Sequence, residues 1–315
     1  MKILFTILVT FFSASLFAQN TTNADTTYWR IGGSSSLTFS QVALTNWAAG
    51  GQNSVAINSN FSIFANRVKG RGKWENSLDL AYGLIKQGEA SFNKSDDLIN
   101  LVTKYSYKVN KDNGKWFYSA SMDFRTQFYE GLDEEGNFIS DFMAPGYLTI
   151  GTGISYDPNE QLSFGYQPLT GKFTFVRDQQ LANEGAYGVD PAVFAIDGTT
   201  VITPGKNSRA EFGSFFRAKY KNDIFESRLE LFTSYLEDFG TIDVNWQNAL
   251  VMQLTKVLSM NAFAQLIYDK DIEIGADDNG DGEILEADGE FKDRVQFKSV
   301  IGVGLTYKFG KQKKQ

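Results

Sequence analysis

Apolar and polar residues alternate one for one over stretches of ten or more residues, and they do so again and again along the chain. In the last such stretch Ile301, Val303, Leu305, Tyr307 and Phe309 alternate with Gly302, Gly304, Thr306 and Lys308. Upstream, Trp116, Tyr118, Ala120, Met122, Phe124 and Phe128 oppose Ser119, Ser121, Asp123, Arg125 and Gln127, and Trp74, Leu78, Leu80, Tyr82 and Leu84 oppose Glu75, Ser77, Asp79 and Gly83. Phe212, Phe216, Ala218 and Tyr220 oppose Glu211, Gly213, Arg217 and Lys219. A period of two is the signature of a β-strand with two different faces. A soluble sandwich would also alternate, but in strands of about five or six residues. Runs of ten or more match a tilted strand that crosses a bilayer, with lipid on one side and a wet lumen on the other.

The connections give a second, independent test. Short turns stand at 69–72, 110–114, 157–160, 221–223 and 255–256, and longer polar loops fall between them at 40–53, 87–95, 130–144, 177–206 and 271–293, with one modest exception, the brief loop at 237–240. Alternation of short turns with long loops is the habit of outer-membrane barrels. The spacing predicts strands over 29–39, 54–68, 73–86, 96–109, 115–129, 146–157, 161–176, 207–221, 224–236, 241–254, 257–270 and 294–309. The expected fold is therefore all-β, an antiparallel transmembrane β-barrel of twelve strands preceded by a signal peptide; ten strands is the alternative if the first two segments lie in the lumen.

Composition agrees. Aromatics make up 15% of the chain, and 29 glycines stand against five prolines. The opening MKILFTILVTFFSASLFA carries one early lysine, a short apolar core and Ala18 as a cleavage point, the pattern of a secretory signal. The expected order is a signal peptide at 1–18, a short N-terminal segment at 19–28, the barrel at 29–309 and a basic periplasmic tail at 310–315, placed in the cell outer membrane. The chain has no cysteine and no histidine, so it holds no Ser-His-Asp triad and no imidazole base. That loss makes an enzyme the least favoured reading. A net charge of −7 argues against a nucleic-acid partner.

Two loops stand out. DDNGDGEILEAD at 277–288 places Asp277, Asn279 and Asp281 at positions one, three and five of a calcium loop, Gly282 at the sharp turn, the carbonyl of Glu283 at seven and Asp288 at twelve. Aspartate at twelve reaches the ion less readily than glutamate and leaves Mg²⁺ open as well as Ca²⁺. A solvated acidic tip is the competing reading of the same residues. The first loop, SQVALTNWAAGGQNS, is too apolar for free solvation, and Trp47 beside Asn46 is a candidate plug for the bore. Trp47 at the membrane–water boundary is the alternative. Inward positions of the strands carry both signs: Glu75, Asp79, Asp123, Glu211, Glu226, Glu230 and Asp243 with Lys104, Lys108, Arg125, Arg217, Lys219 and Arg228. A selective pore favours rings of one sign. Mixed signs predict a bore crossed by ion pairs.

The segments LTFSQVALTNWAAGGQNSVAINS, KSDDLINLVTKYSYKV, FRTQFYEG, MAPGYLTIGTGISYDPN and PLTGKFTFV together resemble a family of outer-membrane proteins from Bacteroidetes-type bacteria, domain of unknown function 3078. The resemblance runs over about residues 29–309. It implies a barrel and no activity. It singles out Asn46, Trp47, Arg125 and Gln127 as lumen or plug positions to test. The expected role is that of a non-enzymatic structural or assembly partner with a plugged or narrow lumen, in contact with outer-membrane lipid and an envelope protein complex. A passive pore or transporter for small solutes or lipid-like molecules is the alternative.

Overall fold

The computed structural model describes residues 28–43, 52–110, 114–133, 136–236, 239–276 and 290–310. Twelve antiparallel strands close into one barrel. They are β1 (Trp29–Val42), β2 (Ser54–Lys69), β3 (Gly72–Gln87), β4 (Asn93–Lys108), β5 (Trp116–Thr126) and β6 (Gly146–Tyr156), followed by β7 (Leu162–Phe175), β8 (Ser208–Lys221), β9 (Phe225–Ser234), β10 (Asp243–Gln253), β11 (Leu258–Tyr268) and β12 (Gln296–Gly310). Each strand pairs with its neighbours in sequence, and β1 pairs with β12 from Gly32↔Gly310 to Phe39↔Val303 to complete the ring. The expected twelve strands are all present; the ten-strand alternative is not what forms.

The faces separate as the alternation demands. Ile301, Val303, Leu305 and Tyr307 are about half exposed on the outside, while Thr306 on the inside is 4% exposed. Ser259 Oγ lies 2.6 Å from Thr306 Oγ1 and Asn261 donates to Thr38 across the β11–β12–β1 wall. At the short-turn end the outer face carries a belt of aromatics. Trp29 meets Trp74 at 5.6 Å between ring centres, Trp116 meets Tyr156 at 4.7 Å, and Tyr307 meets Phe309 at 6.4 Å. Arg67 lies over Trp29 and Arg71 over Tyr107.

Two departures from simple alternation have local causes. β5 stops at Thr126, short of the expected 129, because the next backbone amides leave the sheet. The N–H groups of Phe128 and Tyr129 donate to the Asp97 carboxylate at 2.7 and 3.1 Å, and Lys94 holds that carboxylate at 3.0 Å. β7 carries one extra residue: Thr170 pairs with Gly213 and Gln167 with Phe215, so three residues of β7 span two of β8. Pro168 sits in this bulge, where its missing N–H costs no ladder bond. Consequently Gln167 and Thr170 both face inward, Leu169 faces outward, and the parity of the strand reverses at that point. Tyr235 Oη donates to the Pro168 carbonyl and fixes the bulge to β9.

The segment 177–206 forms a cap at the long-loop end. A short helix, α1 (Gln179–Asn183), starts at Asp178, whose carboxylate accepts from the amides of Gln180 and Leu181. The small apolar cluster of Ala144, Val176, Leu181, Ala182 and Val189 lies under it. Tyr187 donates to the Ile139 carbonyl at 2.6 Å, tying the cap to the 138–144 loop. Burial pushes the Tyr187 phenol up to about 12, so this donor keeps its proton throughout the neutral range. Beyond the cap, Val193–Phe194 and Val201–Thr203 pair as a small hairpin.

Candidate functional site in the lumen

The inner wall is organised in three tiers of charge. In the middle tier Arg217 on β8 reaches across the bore to Asp123 on β5, at 2.7 Å, and also holds Glu230 on β9 at 2.7 Å. Arg125 on β5 approaches Glu230 from the other side at 3.5 Å. Asn245 donates to Glu230 and accepts from Gln265, extending the network to β11. At the long-loop end Lys172 on β7 is surrounded by Asp243 at 2.6 Å, Asp269 at 3.2 Å and Glu211 at 3.5 Å. Arg209 joins that group through Asp271 at 2.8 Å and Glu211 at 3.6 Å. At the short-turn end Lys73 bridges Glu75 at 3.0 Å and Asp157 at 3.3 Å, and Glu226 gathers Lys219 at 2.9 Å and Arg228 at 3.4 Å. Lys298 on β12 pairs with Asp96 at 2.7 Å near the long-loop end of β4.

These pairs are chords. Arg217–Asp123 joins β8 to β5, Arg125–Glu230 joins β5 to β9, and Lys172–Asp243 joins β7 to β10, each skipping at least two strands of the wall. Two phenylalanines fill space between the tiers. Phe215 and Phe232, paired on β8 and β9, point inward and are 8% and 6% exposed. Arg217 stacks over the Phe215 ring at 5.0 Å and Lys172 lies 5.2 Å from the Phe232 ring centre. Charged heads held on aromatic faces and carboxylates occupy the bore.

Of the positions singled out from the sequence, Arg125 stands in the middle tier, paired with Glu230. Gln127 is elsewhere: its amide donates to the carbonyls of Asp141 and Ala144 and anchors the 138–144 loop. The structure does not bring the two together. Asn46, Trp47 and the loop residues Asp277, Asn279, Asp281, Glu283 and Asp288 lie outside the described residues. The alternation missed Lys172, Arg209, Phe215 and Phe232. Lys172 was hidden by the parity reversal at the β7 bulge, and the signal that reveals it is Pro168 in mid-strand. The inward phenylalanines carry no sequence signal of their own. They sit on the same face as Arg217 and Glu230, where a polar residue is expected.

Outside the wall, Asp197 organises the turn of the small hairpin. Its carboxylate accepts from Thr200 Oγ1 at 2.6 Å, the Thr200 amide at 2.9 Å and the Thr199 amide at 3.0 Å. The Thr200 hydroxyl and the two amides hold the carboxyl down to about 2. A depressed carboxylate stabilises its loop fully above the unfolded pKa and loses that support as pH falls through about 2. An NMR titration of Asp197 is expected to show an inflection near 2; a value at or above the ordinary 3.8 would mean that the turn is not formed.

Comparison with known proteins gives a family match over part of the chain. Residues 39–132 match the family model described as protein of unknown function (DUF3078). The match runs from the last residues of β1 through β5 and agrees with the family resemblance; it says nothing of the source organism. No curated protein matches. Among solved structures, the translocator domain of the autotransporter NalP from Neisseria meningitidis is 10% identical with a TM-score of 0.31, covering 94% of this chain and 92% of that one. The Pseudomonas putida toluene transporter TodX is 9% identical with a TM-score of 0.29, covering 90% of each chain.

Proposed function

We propose that this chain is an outer-membrane β-barrel that is not an enzyme and not an open pore, and that it serves as a fixed structural or assembly partner in the envelope. Its outward band of half-exposed aliphatic residues, bounded at the short-turn end by tryptophans and tyrosines, suits hydrocarbon and a headgroup boundary. The observation that carries the closed bore is the set of chords through Arg217, Arg125 and Lys172. Support for a partner comes from the hairpin beyond the cap, where Phe194 and Ile202 are exposed and Ile196 projects fully. Apolar side chains held out on a built turn suit contact with another protein.

Planar-bilayer recording tests the closed bore. The parent protein is expected to give no steady ohmic steps, and steady steps in the parent would replace this reading with a solute pore. A pull-down in mild detergent tests the partner: replacing Ile196 and Ile202 by serine is expected to release a co-purifying envelope protein, and a barrel that travels alone in the parent removes the assembly role. For the 277–288 loop the proposal is a Ca²⁺ site that stiffens the loop. Asp281→Ala should abolish a calcium-dependent rise in melting temperature, and equal melting of the parent with and without calcium ends that idea.

A further inference from the structure

Among the described residues the short-turn tier leaves one lysine, Lys104, outside its ion pairs and hydrogen bonds. Glu75 on β3 stands directly opposite Lys104 on β4 in the register. Its carboxylate nevertheless bonds Lys73, two residues earlier on its own strand, and Lys73 also takes Asp157. Lys104 faces Glu75, Asp157, Lys73 and Arg217 through space, but its ammonium forms no ion pair or hydrogen bond among the described residues. The wall beside it is rich in donors. Ser106, the next inward residue on β4, lies opposite Lys73 on one side and Ser119 on the other. Both serines are buried, at 1% and 6% exposure, and among the described residues neither hydroxyl has a hydrogen-bond partner. Buried hydroxyls are ordinarily satisfied, so two unpaired ones beside an unpaired cation form an incomplete set.

Water reaches this tier. The Lys73 and Glu75 side chains are 31% and 33% exposed, whereas Glu230 in the middle tier is at 8%. The Lys73 and Glu75 side chains at this end are thus more accessible than the Arg217–Asp123–Glu230 group deeper in the bore, where exposures are 8–17%. We propose that Lys104 is the centre of an anion site on the inner wall at the short-turn end, with Lys73 as second cation and the Ser106 and Ser119 hydroxyls as donors, and that it takes a small free oxyanion of the phosphate class. The site lies on the inner wall, so a lipid headgroup is not its ligand. Charge-assisted hydrogen bonds to an oxyanion are the strong kind, and the middle tier blocks the ion from passing through. The inference rests on the bore alone and does not depend on a partner protein or on the membrane placement.

Titration calorimetry of the full chain, refolded in detergent, with inorganic phosphate against a chloride background of equal ionic strength, tests it. The parent is expected to bind phosphate. Lys104→Gln should weaken binding about tenfold or more, and Lys104→Arg should retain most of it. Glu75→Gln, which frees Lys73 from one carboxylate and removes a nearby negative charge, should tighten binding. Heat-modifiable migration on gels confirms that each variant is folded. A folded parent that binds no phosphate, or a folded Lys104→Gln that binds as tightly as the parent, overturns the site.

Discussion

Arginine in place of Val303 is expected to destabilise the folded barrel in lipid vesicles by about 2–4 kcal/mol. Val303 lies midway along β12, outward, between Phe39 on β1 and Met260 on β11 in the register. It is 48% exposed and Phe39 is 49% exposed. In water a half-exposed valine is nearly neutral to substitution, within about 0.5 kcal/mol. In hydrocarbon the guanidinium must be desolvated or must drag water and headgroups toward it. The cost is therefore a direct reading of what the outer face touches. It should also depend on depth: Tyr307→Arg, closer to the short-turn end and its aromatic belt, should cost only about 0–1 kcal/mol. Reversible urea unfolding of the vesicle-bound protein gives both numbers. Equal small costs at the two positions would mean that no lipid lies against β12.

Replacing Arg217 by methionine is the second large effect expected. Arg217 is the only described side chain that bonds both Asp123 and Glu230, and its removal leaves two largely buried carboxylates in the middle of the bore. Breaking a buried ion pair from one side costs about 3–5 kcal/mol when nothing replaces the lost charge. The three side chains retain 8–17% exposure, so water offsets part of this and about 2–3 kcal/mol is expected here. Glu230 keeps Arg125 at 3.5 Å and an Asn245 amide; Asp123 keeps no ion-pair partner among the described residues. Asp123→Asn in the Arg217→Met background should therefore recover more stability than Glu230→Gln. The reverse order would show that Glu230 is the carboxylate Arg217 chiefly serves. The same Arg217→Met variant should admit small ions through the bore, visible as current steps that the parent lacks.

The fold was legible because a membrane-length wall imposes its period on every strand. Ile301 to Phe309 and Trp116 to Phe128 announce their faces without reference to any partner, and the turns at 69–72 and 157–160 mark where each pair reverses. The interior was only half legible. Alternation tells which residues point inward but not which of them meet, since Arg217 and Asp123 lie 94 positions apart and touch only because the wall curves. Glu75 shows the limit well: the register puts it opposite Lys104, and its side chain chooses Lys73. Lys172 escaped for a different reason. One extra residue at Pro168 reverses the parity of β7, and no count of apolar positions reveals a reversal that a single proline encodes.

The pairing of β1 with β12 governs how this chain can reach its native form. No hydrogen-bonded ring exists until Phe39 finds Val303, so every intermediate carries two raw margins whose amides and carbonyls lack mates. Joining ends so far apart along the chain is entropically demanding, and such contacts form late. A copy truncated before Gln296 would keep eleven strands and both margins for good. It would be a template for indiscriminate strand addition, the seed of aggregates rather than a smaller cylinder.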